Sequence, residues 1–339
     1  MSLREMIPSP SETEPSLKKS YRFDIVSRSR LWFSISGAVF LVGVIGMIAS
    51  IILYGSPLRL GLDFTGGTLL DLQFEKAVTT TEIRSALQEK NLGNSIIQVD
   101  PVTAKKVLIR TPNLSEKERS EIETLLQEKV GSFERLRIES VGPTVGGRLL
   151  RLGLISVVLS FGLIVLYLAF RFQWDYAVFA IVALLHDVVL TVGVFAVLGV
   201  TLGVEIDSLF LVALLTIVGF SVNDTVVIYD RIRENLRLIS RQVGLGEIIN
   251  LSLNQTFARS LNTSLTTMLP LVAIFLLGGE TLKWFALALL VGFTFGVYSS
   301  IFIASPLLLW WRQRRPSRQA NNSGSSPEKS EDLEASETS

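Results

Sequence analysis

Apolar positions in this chain gather into six long runs, at residues 31–53, 152–170, 177–200, 208–230, 257–277 and 284–311. A helix rises 1.5 Å per residue, so each run is long enough to cross roughly 30 Å of hydrocarbon. The pattern predicts six membrane-spanning helices. The first run exceeds the apolar core of a signal peptide. It leads into Tyr54-Gly55-Ser56-Pro57 rather than a small-residue cleavage site, which predicts a retained helix.

Residues 57–148 follow a different pattern. Short alternating segments predict strands at 68–74, 96–99, 106–110 and 136–141. Helical periodicity predicts helices at 79–91 and 114–130. Thr79 has Glu82 three residues on, and Ser115 has Glu118. These are capping-box spacings, in which side chains satisfy the orphan N–H groups of a helix start. The order strand, helix, strand, strand, helix, strand is that of the ferredoxin-like split βαβ unit. The fold class expected is a membrane α-helical bundle of six transmembrane helices, with an α+β ferredoxin-like external domain between helices 1 and 2. The expected organisation is a cytoplasmic tail 1–30, helix 1 at 31–53, an external domain 54–148, five helices within 152–311 and a disordered tail 312–339.

Composition supports this reading and removes rivals. Of 339 residues 48% are hydrophobic, and mean hydropathy is +0.45, high for a soluble domain. A net charge of +1 supplies no basic excess for nucleic acid. The chain has no Cys and one His, which excludes disulfides, thiolate chemistry and multi-His metal sites. No metal, cofactor or enzymatic activity is expected. Lys and Arg set the orientation. Arg231, Arg233, Arg237 and Arg241 follow the fourth run, and Arg312, Arg314, Arg315 and Arg318 follow the sixth. Lys18, Lys19, Arg22, Arg28 and Arg30 precede the first. Loop 200–207 has neither residue type. Both termini and segment 231–256 are therefore expected in the cytoplasm. Arg148 and Arg151 run against the rule, next to a long translocated domain where it is weak.

Ionisable groups at bilayer depth are costly, so each is a functional candidate. His186-Asp187 lies mid-way along the third run, as a proton-sensitive pair or a packing pair. Asn223-Asp224 lies towards the cytoplasmic end of the fourth, with Ser221 on the same face. Arg259, Asn262, Thr263, Thr266 and Thr267 make a polar stripe on the fifth. This stripe is expected to face the bundle interior or a wet cavity, because lipid cannot satisfy it. Asp224 and Arg259 are expected at similar depth, able to pair and to exchange partners as Asp224 gains or loses a proton. Gly292 and Gly296 form GxxxG, a close-packing signal. Gly61-Leu62-Asp63-Phe64-Thr65-Gly66-Gly67 lacks the phosphate-loop lysine and reads as a structural turn beyond the membrane.

Several of these segments together resemble the SecD/SecF family, and its SecF branch most. They are Gly61–Gly67, the stretch from Ser221 to Asn235, the stretch from Arg259 to Thr267, His186-Asp187, and Val141-Gly142-Pro143. The likeness runs from about Arg22 to Trp311. It implies an accessory subunit of the bacterial preprotein translocase, related to the RND transporters. Such a subunit works beside a separate SecD chain, the SecYEG channel and a YajC-like subunit, on unfolded preprotein, and uses the proton-motive force late in export. It also implies a multi-pass protein of the bacterial inner membrane, or of an internal membrane where the cell has one, in contact with lipid. By resemblance, Asp224 and Arg259 fall on positions linked to proton conduction. The rival readings are half of an RND exporter, a non-conducting stabiliser of the translocase, and an intramembrane serine protease using Ser221 and His186. In the last, Val222 after the serine and the order of the two residues are wrong for a rhomboid-like enzyme.

Overall fold

Six helices long and apolar enough to span a membrane do form, and their ends show why the apolar windows were only approximate. The structure, a computed structural model, describes residues 23–239 and 243–314. Lys18, Lys19, Arg22, Arg241, Arg315, Arg318 and most of both expected tails lie outside the described residues. The spans are α1 (Ser29–Tyr54), α5 (Pro143–Arg171), α6 (Trp174–Leu202), α7 (Ser208–Ile239), α8 (Leu245–Leu277) and a broken last helix. The last is α9 (Glu280–Ser299), a π-helical turn (Ser300–Ala304) and α10 (Ser305–Arg314). Pro306 has no N–H to give to the preceding turn, and Ser305 Oγ donates instead to the Ser300 carbonyl at 3.2 Å.

α7 and α8 continue past the apolar runs because their polar ends bind each other. Asn235 donates to Ser252 Oγ at 2.8 Å and to Gln255 at 2.9 Å, and Arg231 donates to Gln255 at 2.6 Å. α7 and the last helix are the most buried spans, with α6 next, whereas α1, α5 and α8 lie at the periphery. Packing between helices uses small residues where backbones approach. Gly43 of α1 meets Gly193 of α6, and Gly296 of α9 lies against Ser221 of α7.

The inserted domain holds β1 (Gly67–Phe74), α3 (Thr80–Gln88), β2 (Ile96–Val99), β3 (Lys106–Thr111), α4 (Glu116–Lys129) and β4 (Phe133–Val141). Between α1 and β1 lies a four-residue helix, α2 (Leu62–Thr65). The sheet order is β2-β3-β1-β4, antiparallel throughout. That is the arrangement expected when two βαβ units interleave. Both capping boxes form, Thr79 with Glu82 and Ser115 with Glu118. One sheet face carries Leu70, Leu72, Val107 and Ile109 against Ile83, Leu87, Ile122 and Leu126 of the two helices. The opposite face carries Asp71, Arg110, Arg137 and Glu139, and it looks across a cleft of about 670 Å³ towards the α6–α7 loop.

Candidate functional site

Two buried acids lie on neighbouring faces of the bundle core. Asp187 of α6 is fully buried. Its Oδ2 accepts from Ser221 Oγ of α7 at 2.6 Å and from Ser299 Oγ of α9 at 2.7 Å. Its Oδ1 lies 3.0 Å from His186 Nδ1, and His186 Nε2 is hydrogen-bonded to Ser36 of α1. Tyr298 stacks near the imidazole at 6.4 Å between ring centroids. One carboxylate thus ties α6 to α7 and α9, and through His186 to α1. Ser299 sits at the last α-helical position before the π turn. There Ser300 Oγ bonds Thr225 of α7 at 2.7 Å.

One turn along α7, Asp224 is 9% exposed. Its Oδ1 accepts from Ser260 Oγ of α8 at 2.6 Å. Its Oδ2 is buried and has no hydrogen-bond partner among the described residues. A buried acceptor left in this state is uncommon and costly.

Two expectations about this region need correction. The first is the direct pair. Arg259 lies near enough for its charge to act on Asp224, yet among the described residues no ion pair joins them within 4.0 Å. Consecutive residues of a helix point about 100° apart. Ser260 takes the buried face of α8, and Arg259 is exposed beside it. The second is the direction of the polar stripe. Arg259, Asn262, Thr263 and Thr266 are exposed on the outer face of α8, and Thr256, Ser260 and Ser264 line its buried face. Two of the threonines are satisfied within their own helix. Thr266 donates to the Asn262 carbonyl at 2.9 Å and Thr267 to that of Thr263 at 2.7 Å. Asn223 is likewise exposed, turned away from its neighbour Asp224.

Gly61–Gly67 lies elsewhere, at the domain end of the bundle. Asp63 accepts from both the backbone N–H (2.9 Å) and the hydroxyl of Ser208, the first residue of α7. Asp207, the adjoining residue, accepts from Phe210 N at 3.1 Å. Burial, together with the charge of Asp63 and against the Phe210 hydrogen bond, pushes the Asp207 carboxyl above its ordinary range. Gly66 and Gly67 have φ of 71° and 116°, conformations that favour glycine. Glu205 binds Arg59 at 3.1 Å and also Arg110 of β3.

Sequence reasoning found Asp187, Asp224 and His186 because each is polar in an unusual place, and Asp63 only as part of the Gly61–Gly67 turn motif. It missed Ser36, Ser260, Ser299, Arg59, Arg110 and Glu205. Serines are common in helices, and the charged residues lie beside spans or on a strand of the inserted domain, where charge is ordinary. Only the crossing of elements singles them out.

Comparison with known proteins agrees with this architecture. The protein export membrane protein SecD/SecF C-terminal family matches residues 121–314, and the SecD/SecF GG motif matches residues 51–78. The protein translocase subunit SecF of Synechocystis sp. is 47% identical over 304 residues, covering 87% of this chain and 96% of its own. That of Acidaminococcus fermentans is 43% identical, covering 86% and 98%. The crystal structure of SecDF, a translocon-associated membrane protein from Thermus thermophilus, superposes with a TM-score of 0.73 at 37% identity. It covers 86% of this chain, which spans only 39% of the SecDF chain. With the family's two matched regions falling on the GG segment and on the helices that carry Asp187 and Asp224, the chain belongs to the SecD/SecF protein-export family, as a SecF-type multi-pass membrane subunit.

Proposed function

We propose that this chain pairs with a separate SecD chain and couples the proton-motive force to late steps of protein export, with Asp224 as the proton-carrying group. The observation that carries the reading is the state of Asp224. It is a buried carboxyl with one oxygen held by Ser260 and the other unpartnered among the described residues, and Arg259 adjoins Ser260 on α8. Such a group can take up and release a proton without dismantling the helix packing. Each proton crossing at 100 mV carries about 2.3 kcal/mol from the electrical term. The hydrogen-bonded Asp187–His186–Ser36 chain lies in the same core.

The exposed face of Arg259, Asn262 and Asn223 supports a protein neighbour over lipid, since hydrocarbon leaves a guanidinium and amides unsatisfied. SecD fits that place, because the longer Thermus thermophilus relative is a SecDF. The channel partner is SecYEG, with a YajC-like subunit in the same assembly and unfolded preprotein as the cargo. The protein lies in the bacterial cytoplasmic membrane. Both termini and the α7–α8 connection are inside, where the flanking arginines collect, and the sheet domain is outside.

The test is preprotein translocation into vesicles holding this chain, SecD and the channel, under an imposed proton gradient. Asp224→Asn is expected to abolish the gradient-dependent part, and Arg259→Ala to reduce it about tenfold, through loss of a positive charge on the same helix as Ser260. Full gradient-dependent activity in both variants would sink the reading.

A further inference from the structure

The GG segment does more than connect α1 to the sheet. Three contacts fasten it and the residue before it to the domain end of the bundle. Leu60 bridges Ile206 of the α6–α7 loop in parallel register, with Gly61 N donating to the Ile206 carbonyl at 2.8 Å and Ile206 N to the Arg59 carbonyl at 2.9 Å. A Cβ at Gly61 would stand 2.7 Å from the Ile206 carbonyl oxygen, so no larger residue fits there without movement. Phe64, 5% exposed, is buried among Phe195, Phe210, Leu214 and Phe293 in the core of the bundle. Asp63 caps the N-terminus of α7, taking two hydrogen bonds from Ser208. Beyond this segment Glu205 adds a clamp, holding Arg59 of the linker and Arg110 of β3 at once.

The cap stands at one end of α7 and Asp224 stands sixteen residues further along the same unbroken helix, about 24 Å away at 1.5 Å per residue. A helix is stiff over that length, so displacement at one end reaches the other. Across the cleft described above, the Arg110–Glu205 pair ties the sheet's polar face to the same loop, beside this joint. We propose that Asp63 is a positioning residue: by fixing the start of α7 to the GG segment, it makes α7 and the sheet domain move as one body, and so carries motion at the buried acid to the external domain.

This rests on the reading of Asp224 given above and adds the route of transmission. The joint stays closed during the cycle rather than opening as a hinge. Two kinds of variant test it. Asp63→Ala removes the cap, and Asp63→Asn keeps one acceptor in case the alanine variant folds poorly. The L60C/I206C pair places thiols at the two residues of this isolated bridge, side by side as disulfide formation requires, in a chain that has no other cysteine.

With translocation measured per folded protein, Asp63→Ala is expected to lose about fivefold of gradient-driven export, the scale of coupling residues between distant sites. Asp63→Asn falls between it and the unchanged chain. Amide exchange at Ile206 and Ser208 rises in step. Oxidised L60C/I206C restores export to Asp63→Ala, and reduction removes the rescue. Unchanged export in Asp63→Ala overturns the proposal. So does loss of export when L60C/I206C is oxidised in an otherwise unaltered chain, because the joint must then open. Asp224→Asn, run in parallel, separates the two readings. If it exports normally, the proton assignment fails and the joint is still judged by rescue; if it fails while Asp63→Ala is unaffected, the joint alone is wrong.

Discussion

Replacing Asp187 by Asn asks how much one buried carboxylate contributes to holding the bundle together. Its Oδ2 accepts from two serines on two other helices, at 2.6 and 2.7 Å, with no solvent exposure. Interhelical hydrogen bonds in membranes average about 0.6 kcal/mol in double-mutant cycles and reach about 1.7. Both bonds here are short and end on a carboxyl oxygen, which puts them at the upper end. The amide of the Asp187→Asn variant would keep one acceptor but turn an N–H₂ towards a neighbour, so one of the three contacts is lost outright. The expected cost of Asp187→Asn is about 2–3 kcal/mol. The coupling between Asp187→Asn and Ser221→Ala is expected at about 1.5 kcal/mol. The assay is reversible unfolding of the full chain in mixed detergent micelles, with a cycle at Arg171 and Asp230 as control. That pair meets at 2.6 Å with both side chains 41% exposed, and is expected to couple by about 0.5 kcal/mol or less. If the Asp187–Ser221 coupling is no larger than the control, the view of Asp187 as the pin of the core is wrong.

Further outcomes follow from the same contacts. Gly67→Ala places a Cβ 2.5 Å from the Thr111 carbonyl oxygen at a φ of 116°; it should cost about 2–3 kcal/mol, seen as lower folded yield and faster proteolysis of the sheet domain. Gly193→Val drives a branched side chain into the Gly43 backbone and should loosen α1 from α6, read as reduced cross-linking of cysteines introduced across that contact. Asp207 is raised by burial, so its contribution to stability is present below 3.8 and is lost as pH climbs through the raised folded value. Asp207→Asn keeps a capping side chain and should flatten that part of the unfolding midpoint against pH; an unchanged slope would assign it to another group. Ser260→Ala removes the only hydrogen bond on Asp224 among the described residues and should weaken gradient-driven export and cost about 1–3 kcal/mol of stability, read by unfolding of the full chain in mixed micelles.

The sequence by itself determined the elements. Hydrocarbon demands long apolar helices, so six spans were legible from six runs, and alternation with two capping boxes was enough for the order of the inserted domain. It also marked Asp187 and Asp224, because an acid within an apolar run has no ordinary explanation. Partners were another matter. Whether Arg259 or Ser260 meets Asp224 depends on a rotation of about 100° between consecutive helix positions, which is set by how α8 packs on α7 and not by spacing along either helix. The same is true of the threonine stripe: its outward face became tolerable because the hydroxyls bond their own backbone, a local solution that makes polarity a poor guide to direction. The attachment of Asp63 to Ser208 joins residues 145 positions apart. Contacts of that span belong to the tertiary structure alone, since no local pattern records which distant element the folded chain will bring alongside.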